Sequence, residues 1–173
     1  MTRTLVLGGS RSGKSGFAES LLDEQAPVDY LATAADQPGD AEWAARVAMH
    51  RQRRPESWRT IETADIAAVL TADGPPVLID SITTWLARTM DDGEGWGAGP
   101  SDEVDARLDA LCSAWAMTGR RVVAVSDEVG SGIVPPTESG RRFRDALGLL
   151  NQRLAAAADE VQLVVAGLPL RLR

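Results

Sequence analysis

The sequence contains very little cysteine, histidine and lysine, with one of each in 173 residues. The lone thiol, Cys112, cannot form an intrachain disulfide, and no Cys/His cluster has the spacing of a structural zinc site. No apolar stretch is long enough to span a bilayer, and apolar residues 4–7 follow Met1 too closely for a signal peptide. We therefore expect a cytoplasmic protein without a membrane span.

Positive charge is also scarce, because 25 Asp and Glu residues outnumber 18 Lys and Arg residues and give a formal net charge of −7. General nucleic-acid binding relies on a basic surface that displaces counterions from phosphates, so this composition argues against a nucleic-acid partner. Seventeen of the 18 basic residues are arginine, and the one lysine is Lys14. A compact ammonium fits between phosphate oxygens better than a planar guanidinium does, so Lys14 indicates a phosphate site.

Short apolar runs alternate with segments of helical periodicity along the chain. Predicted strands cover residues 4–7, 28–32, 76–80, 121–126 and 161–166, and predicted helices cover residues 14–23, 41–53, 81–90, 101–118 and 139–158. Continuously apolar strands are typical of a parallel sheet that helices cover on both faces. The pattern predicts an α/β fold with a mostly parallel sheet, in one domain over residues 1–173, with a glycine-rich loop at 91–100.

The first predicted strand leads into a glycine-rich loop that opens the first helix. Its sequence is Gly8-Gly9-Ser10-Arg11-Ser12-Gly13-Lys14-Ser15-Gly16. This is a P-loop pattern, in which glycines turn backbone N–H groups towards the β-phosphate, Lys14 reaches the β- and γ-phosphates, and the Ser15 hydroxyl ligates Mg²⁺. The helix dipole adds positive charge at the same place. A chance glycine turn is the weaker explanation in this strand-to-helix context, so we predict nucleotide binding.

Acidic residues follow two later predicted strands. Asp80 ends the strand over 76–80, and an acidic residue at the end of a neighbouring strand holds Mg²⁺ in P-loop enzymes. The alternative is that Asp80 only caps the following helix. Asp127 and Glu128 end another strand in the same way, and they are weaker candidates for contacts with a second substrate or for anchoring a loop.

The one histidine, His50, lies in a predicted helix near a group of arginines. These are Arg46, Arg51, Arg53, Arg54 and Arg59. The structural explanation is that arginines favour the negative end of a helix and that His50 is a partly buried, hydrogen-bonded side chain. The catalytic explanation is that His50 attacks phosphorus to form a phosphoramidate, while guanidinium groups offset charge on the leaving phosphates. These residues alone leave both explanations open.

Further blocks follow the P-loop in a fixed order. They are Tyr30-Leu31-Ala32-Thr33-Ala34, His50-Arg51-Gln52-Arg53-Arg54-Pro55, Trp58-Arg59-Thr60-Ile61-Glu62, Leu78-Ile79-Asp80-Ser81-Ile82-Thr83-Thr84-Trp85-Leu86, Glu128-Val129-Gly130-Ser131-Gly132-Ile133-Val134-Pro135, Arg141-Arg142-Phe143-Arg144-Asp145, and residues 148–151, 155–161 and 166–169. Together they resemble the bifunctional adenosylcobinamide kinase/adenosylcobinamide-phosphate guanylyltransferase family of cobalamin biosynthesis. Because the blocks span nearly the whole chain, they are far more specific than the P-loop alone.

The resemblance implies a RecA-like P-loop NTPase fold of three layers and a homotrimer. It implies that ATP or GTP phosphorylates adenosylcobinamide, and that GMP passes from GTP through a guanylyl-histidine at His50 to adenosylcobinamide phosphate, giving adenosylcobinamide-GDP and pyrophosphate. Nucleotide contacts carry over to the P-loop and to Thr33, Ala34, Ala35, Arg51, Gln52, Arg53, Arg54, Glu62 and Asp80. We expect Lys14 and Asp80 to be catalytic, with Asp80 ordering Mg²⁺ or accepting the hydroxyl proton.

Asp127 departs from the family pattern, because members commonly have asparagine there. Its extra negative charge is expected to weaken a phosphate contact, unless the similar size of the two residues makes the change neutral. Trp85, Trp96 and Trp115 are candidates for stacking on the corrinoid, although buried or rim positions are the commoner explanation. Two other functions stay open: a P-loop kinase of another small alcohol, and a nucleotide-dependent switch that modifies no small molecule.

Overall fold

The structure, a computed structural model, describes residues 2–34, 48, 54–93, 95–96 and 101–173. Its strands are β1 (Arg3–Gly8), β2 (Val28–Ala32), β3 (Trp58–Glu62), β4 (Val77–Asp80), β5 (Val122–Asp127), β6 (Glu160–Val165) and β7 (Leu168–Arg171). Its helices are α1 (Lys14–Ser20), α2 (Ile66–Thr71), α3 (Ile82–Asp92), α4 (Asp102–Met117) and α5 (Glu138–Ala157). Apart from Ala48, the predicted helix over 41–53 lies outside the described residues.

The strands of the described chain form one sheet in the order β3-β2-β4-β5-β1-β6-β7. Strands β1 to β6 pair in parallel, and β7 pairs antiparallel with β6. One strand, β5, separates β1, which leads into the P-loop, from β4, which ends at Asp80. The mostly parallel α/β sheet of a RecA-like P-loop NTPase fold is therefore confirmed.

Successive residues of the central strands are buried on opposite faces of the sheet. Leu5, Ile79 and Ala124 lie in the apolar core shared with α3, α4 and α5, whereas Val6, Leu78 and Val123 lie in the core shared with α1. Each of these six side chains is at most 1% exposed. Burial on both faces explains why these strands are continuously apolar rather than alternating, and it confirms three layers.

Side-chain caps start the longer helices, whereas α1 starts differently. Ser81 caps α3 in a capping box with Thr84, and Ser101 and Thr137 cap α4 and α5. The residue before α1 is Gly13, which has no side chain to cap the helix and adopts a φ of 92°. The first amide groups of a helix have no acceptor within the helix, so a start without a side-chain cap suits phosphate binding.

Four elements differ from the predicted pattern. Strands β3 and β7 and helix α2 were not predicted, and α1 ends at Ser20 instead of residue 23. After Ser20 the hydrogen bonds span three residues instead of four, since the Leu21 N–H donates to the Ala18 carbonyl oxygen and the Leu22 N–H to that of Glu19. The Asp23 carboxylate then accepts from the Gln25 N–H at 2.8 Å and turns the chain towards β2. No helix in the described part of the chain is long and apolar enough to cross a membrane.

Candidate active site at the carboxyl edge of the sheet

The carboxyl ends of five neighbouring strands meet at one edge of the sheet. Gly8 of β1 pairs with Asp127 of β5, and Ala32 of β2 pairs with both Asp80 of β4 and Glu62 of β3. This register brings the P-loop, Asp80 and Glu62 to the same edge, where α/β proteins bind their ligands. The predicted site residues Ala35, His50, Arg51, Gln52 and Arg53 lie outside the described residues.

The P-loop backbone is shaped by two glycines. A Cβ on Gly8 would lie 2.4 Å from Ser12 Oγ and 2.7 Å from the Val164 carbonyl oxygen, so no larger residue fits there. Gly13 has a φ of +92°, a left-handed conformation that L side chains rarely adopt. Between them Gly9, Ser10 and Arg11 are exposed to solvent. A phosphate can therefore approach the backbone of this exposed loop closely.

The hairpin between β6 and β7 supports the P-loop from beneath. Its turn residues, Ala166 and Gly167, both have positive φ angles, 51° and 80°. The Gly167 N–H donates to the Ser12 carbonyl oxygen at 2.7 Å. The carboxyl-terminal hairpin, whose second strand β7 was not predicted, therefore helps to fix the conformation of the nucleotide loop.

Lys14 forms an ion pair with Asp127. Its Nζ lies 2.6 Å from Asp127 Oδ1, and it also donates to the Gly9 carbonyl oxygen at 3.3 Å. The two side chains are 13% and 26% exposed, so the pair is partly shielded from water. Sequence reasoning named Asp127 only as a weaker candidate and did not predict this contact.

The backbone of Asp127 is held by two helices. Its N–H donates to Thr83 Oγ1 of α3 at 2.8 Å, and its carbonyl oxygen accepts from Asn151 Nδ2 of α5 at 3.1 Å. The next residue, Glu128, accepts from the N–H groups of Gly130 and Ser131 at 2.7 and 3.4 Å. Glu128 thus anchors the loop after β5, which was one of its two predicted roles.

Asp80 is oriented by a buried tyrosine. The Tyr30 hydroxyl donates to Asp80 Oδ2, and the Arg54 guanidinium lies 3.5 Å from the centre of the Tyr30 ring. Burial and the negative charge of Asp80 raise the pKa of Tyr30 above its usual value of 10, so the hydroxyl stays a proton donor. Ser81, and not Asp80, caps α3, so the capping explanation of Asp80 was wrong.

Thr33 joins the end of β2 to the start of α3. It is fully buried. Its hydroxyl donates to the Ser81 carbonyl oxygen at 2.7 Å and accepts from the Ser81 N–H at 3.0 Å. Ala34 lies beside it and is partly exposed, and Glu62 is exposed at the end of β3. Direct contacts of Thr33, Ala34 and Glu62 with a nucleotide stay predictions.

Of the arginines that the sequence grouped around His50, the structure describes Arg54 and Arg59, and these have different partners. Arg54 faces Tyr30 and donates to Thr60 Oγ1 at 2.8 Å. Arg59 instead pairs with Asp29 at 2.8 Å, at the start of β2 and three residues before the carboxyl edge. Arg59 therefore stabilises the sheet rather than facing the P-loop.

The sequence is similar to those of known proteins over nearly its whole length. The sequence pattern described as "Cobinamide kinase / cobinamide phosphate guanyltransferase", CobU, matches residues 4–172. The chain belongs to this family. It is 41% identical to the bifunctional adenosylcobalamin biosynthesis protein CobU of Escherichia coli K12, over 98% of both chains. It is 40% identical to the corresponding protein CobP of Pseudomonas aeruginosa, over 99% of this chain and 97% of the relative. Cobinamide kinase/guanyltransferase proteins are transferases, so the predicted enzyme class is confirmed.

Solved structures with a similar fold have a lower sequence identity to this chain than the family members have. An ATPase of the type III secretion system of pathogenic bacteria matches 94% of the chain with a TM-score of 0.50 and 14% identity. The P4 protein of bacteriophage phi6 in complex with ADP matches 98% with a TM-score of 0.48 and 16% identity. The chain spans about half the length of these proteins, 50% and 54%. The first likeness supports the P-loop NTPase fold and nothing further.

The oxygen atoms at this site are suitable ligands for magnesium. Ser15 offers a hydroxyl and Asp80 a carboxylate, which are the hard oxygen ligands that Mg²⁺ prefers. No group of three or more His, Cys, Asp and Glu side chains in the described residues could hold a metal alone. A P-loop Mg²⁺ takes its other ligands from the phosphates and water. The residues present therefore fit Mg²⁺.

Two of the tryptophans considered for corrinoid stacking belong to the core. Trp85 and Trp115 are at most 3% exposed, and their Nε1 groups donate to the carbonyl oxygens of Ala64 and Leu154. Trp96 stacks on Phe143, with ring centres 5.9 Å apart.

The site residues that sequence reasoning missed are Tyr30, Thr83 and Asn151. All three lie in blocks shared with the cobinamide kinase/guanyltransferase family, which was the signal available.

Proposed function

We propose that the protein phosphorylates adenosylcobinamide with ATP or GTP and then transfers GMP from GTP to the adenosylcobinamide phosphate, releasing pyrophosphate and adenosylcobinamide-GDP. The observation that supports this most is the 41% identity, over 98% of both chains, to a bifunctional adenosylcobalamin biosynthesis protein. The P-loop, Lys14 and the strand-end carboxylate of Asp80 provide the charges that such chemistry uses.

In the kinase step, the P-loop amides and Lys14 bind the β- and γ-phosphates and stabilise the charge that develops on them. Asp80, oriented by Tyr30, lies at the same sheet edge and accepts the proton of the incoming hydroxyl or helps to hold the metal. We assign Mg²⁺ to Ser15 and Asp80, where it would offset negative charge on the triphosphate.

In the guanylyltransferase step, we propose that a ring nitrogen of His50 attacks the α-phosphorus of GTP. A P–N bond forms, the bond between the α-phosphorus and its bridging oxygen breaks, and pyrophosphate leaves. The phosphate of adenosylcobinamide phosphate then attacks the same phosphorus and frees His50. We assign Arg51, Gln52, Arg53 and Arg54 to nucleotide contacts, in which the guanidinium groups offset phosphate charge.

The deciding experiment incubates the protein with α-labelled GTP and, in parallel, with γ-labelled GTP. We expect an acid-labile label on the protein from α-labelled GTP and none from γ-labelled GTP. The His50→Ala variant should not be labelled by either. Addition of adenosylcobinamide phosphate should move the label from the protein to the corrinoid. A label that persists in His50→Ala contradicts the covalent step. A small-alcohol kinase or a nucleotide switch predicts no labelled protein at all.

We further propose that residues 1–173 act as one domain in a cytoplasmic homotrimer, as the family resemblance implies. Sedimentation equilibrium should then give three times the 18.4 kDa of a single chain. A mass that stays at one or two chains across the concentration range would exclude the trimer. Limited proteolysis should leave one fragment that includes both the P-loop and the carboxyl-terminal hairpin.

A further inference from the structure

The chain has one lysine, Lys14, and its ammonium group forms an ion pair with a carboxylate. Lys14 Nζ lies 2.6 Å from Asp127 Oδ1, which is the distance of a strong charge-assisted hydrogen bond. The proposed kinase step needs the same ammonium for the β- and γ-phosphates. The Asp127 carboxylate and a triphosphate are both anions, so each is a partner for the one lysine ammonium that the P-loop offers.

The backbones of the two residues are held close to each other. Lys14 is the first residue of α1, and the backbone of Asp127 is bound to Thr83 and Asn151 from two different helices. Gly8, at the start of the P-loop, pairs with Asp127 across the sheet. Even after Lys14 turns to a phosphate, the Asp127 carboxylate therefore stays beside the loop, where it repels the phosphate charge.

We propose that Asp127 is an internal competitor of the triphosphate for Lys14, and that it sets the nucleotide affinity of this chain. This inference rests on the proposed use of triphosphates. In the ion pair the carboxylate neutralises the ammonium, and a triphosphate binds only by taking the ammonium from it. An uncharged side chain of the same size at this position leaves Lys14 available and removes the repulsion.

The opposite role for the same contact is that Asp127 positions Lys14 for the phosphates. The two roles predict opposite signs for one substitution. If Asp127 competes, Asp127→Asn binds the triphosphate more tightly. If Asp127 positions Lys14, the same variant binds it more weakly, because the lysine side chain loses the partner that orders it.

The first test is equilibrium binding of α,β-methylene-GTP with Mg²⁺ by titration calorimetry, without corrinoid, so that the nucleotide stays intact. We expect Asp127→Asn to lower the dissociation constant by about tenfold, since the pair is partly shielded from water. Asp127→Ser should change it in the same direction and covers the case in which the Asn variant folds poorly. Asp92→Asn, which removes an exposed partner of Arg107, is the control and should bind as wild type.

The second test uses the single lysine as a reporter. Wild type and Asp127→Asn are treated with an amine-acylating reagent, and peptide mass mapping separates Lys14 from the α-amino group. We expect Lys14 to react several-fold faster in Asp127→Asn than in wild type, and α,β-methylene-GTP to protect it in both proteins. Equal rates without nucleotide would show that Asp127 does not restrain the ammonium.

The outcomes separate this inference from the proposed function. If wild type binds the nucleotide and Asp127→Asn binds it equally or more weakly, the competition is wrong and the proposed function stands. If no protein binds the nucleotide and none protects Lys14, both are wrong. Tighter binding together with faster acylation in Asp127→Asn supports the competition.

Discussion

At the scale of single residues, the phosphate loop depends on glycines for two different physical reasons. At Gly8 the obstacle is space, because Ser12 and Val164 occupy the place of a side chain. At Gly13 the obstacle is the backbone, which has a φ of +92°. Gly16 differs from both, since an added Cβ meets nothing within 4 Å and the residue lies inside α1.

This difference predicts opposite effects of two similar substitutions. Gly13→Ala should lower the free energy of unfolding by about 1–2 kcal/mol, the usual cost of a left-handed conformation for an L residue. Gly16→Ala should raise it by roughly 0.5–1 kcal/mol, because alanine is the better helix former. Urea unfolding followed by circular dichroism measures both. Equal effects of the two substitutions would contradict the assigned conformations.

Lys14 is the residue on which both proposed reactions depend. Lys14→Met removes the ammonium but keeps a chain of similar length, so we expect kcat/KM for cobinamide phosphorylation to fall about 10²–10³-fold. The fold should be retained, because the lysine is at the start of a short helix and partly exposed. The measurement is transfer of γ-label to the corrinoid. Arg3→Met, at the opposite end of β1, is the control and should keep its turnover.

At the scale of elements, a buried arginine joins segments at the amino edge of the sheet. Arg120 Nη2 lies 2.5 Å from Asp29 Oδ2 of β2, and both side chains are at most 5% exposed. Its Nε donates to the Pro75 carbonyl oxygen at 2.7 Å and its Nη1 to that of Val69 in α2 at 3.0 Å. One side chain therefore holds α2, the start of β4, β2 and β5 together.

Removing that side chain should destabilise the protein strongly. Arg120→Met leaves Asp29 buried with only Arg59, which is mostly exposed, and leaves two carbonyl groups without their donor. We expect a loss of about 3–5 kcal/mol in the free energy of unfolding. The control is Arg107→Met, which breaks the exposed pairs with Glu103 and Asp92 and should change stability by less than about 1 kcal/mol. Similar losses in both variants would show that burial is not the cause.

The same elements show what a sequence can reveal about a fold. The central strands were predicted because burial on both faces makes them continuously apolar, as in Val122-Val123-Ala124-Val125. The edge strands were missed because that signal is absent: β3 buries only Trp58, and all four residues of β7 are exposed. Helix α2 has six residues, too few for helical periodicity to be recognised.

The site was predictable to a similar extent. The P-loop is local in sequence, and the position of Asp80 followed from the buried strand that it ends. Both could therefore be expected at the carboxyl edge of the sheet, whereas their contacts with a ligand stay predictions. The contact between Lys14 and Asp127 was not, because it depends on which strands are neighbours and in which register they pair. Tyr30 could not be assigned to Asp80 for the same reason, since β2 and β4 are adjacent only in the sheet.

At the scale of the whole molecule, the two ends of the sheet have different electrostatic roles. The carboxyl edge collects the P-loop, Asp80 and Asp127, whose charges are suited to exchanging partners with phosphates. The amino edge holds structural pairs, of which Arg120 with Asp29 is buried and Arg3 with Asp159 is exposed. This division lets nucleotide chemistry change charge at one end of the sheet while the other end keeps its pairs.

The pair between Arg3 and Asp159 predicts how the stability of the molecule depends on acid. Hydrogen bonds from the Arg3 side chain and then from its backbone N–H lower the pKa of Asp159 from its usual 3.8 to about 2. A carboxylate with a lowered pKa stabilises the fold above its usual pKa, and this contribution is lost as the pH falls towards the lowered value. The stability advantage of wild type over Asp159→Asn should therefore be constant down to about pH 4 and shrink between about pH 4 and pH 2. Urea unfolding across this range measures it. In an Arg3→Gln background most of the pH dependence should disappear, whereas an advantage that stays constant down to about pH 2 would show that this pair does not contribute to acid stability.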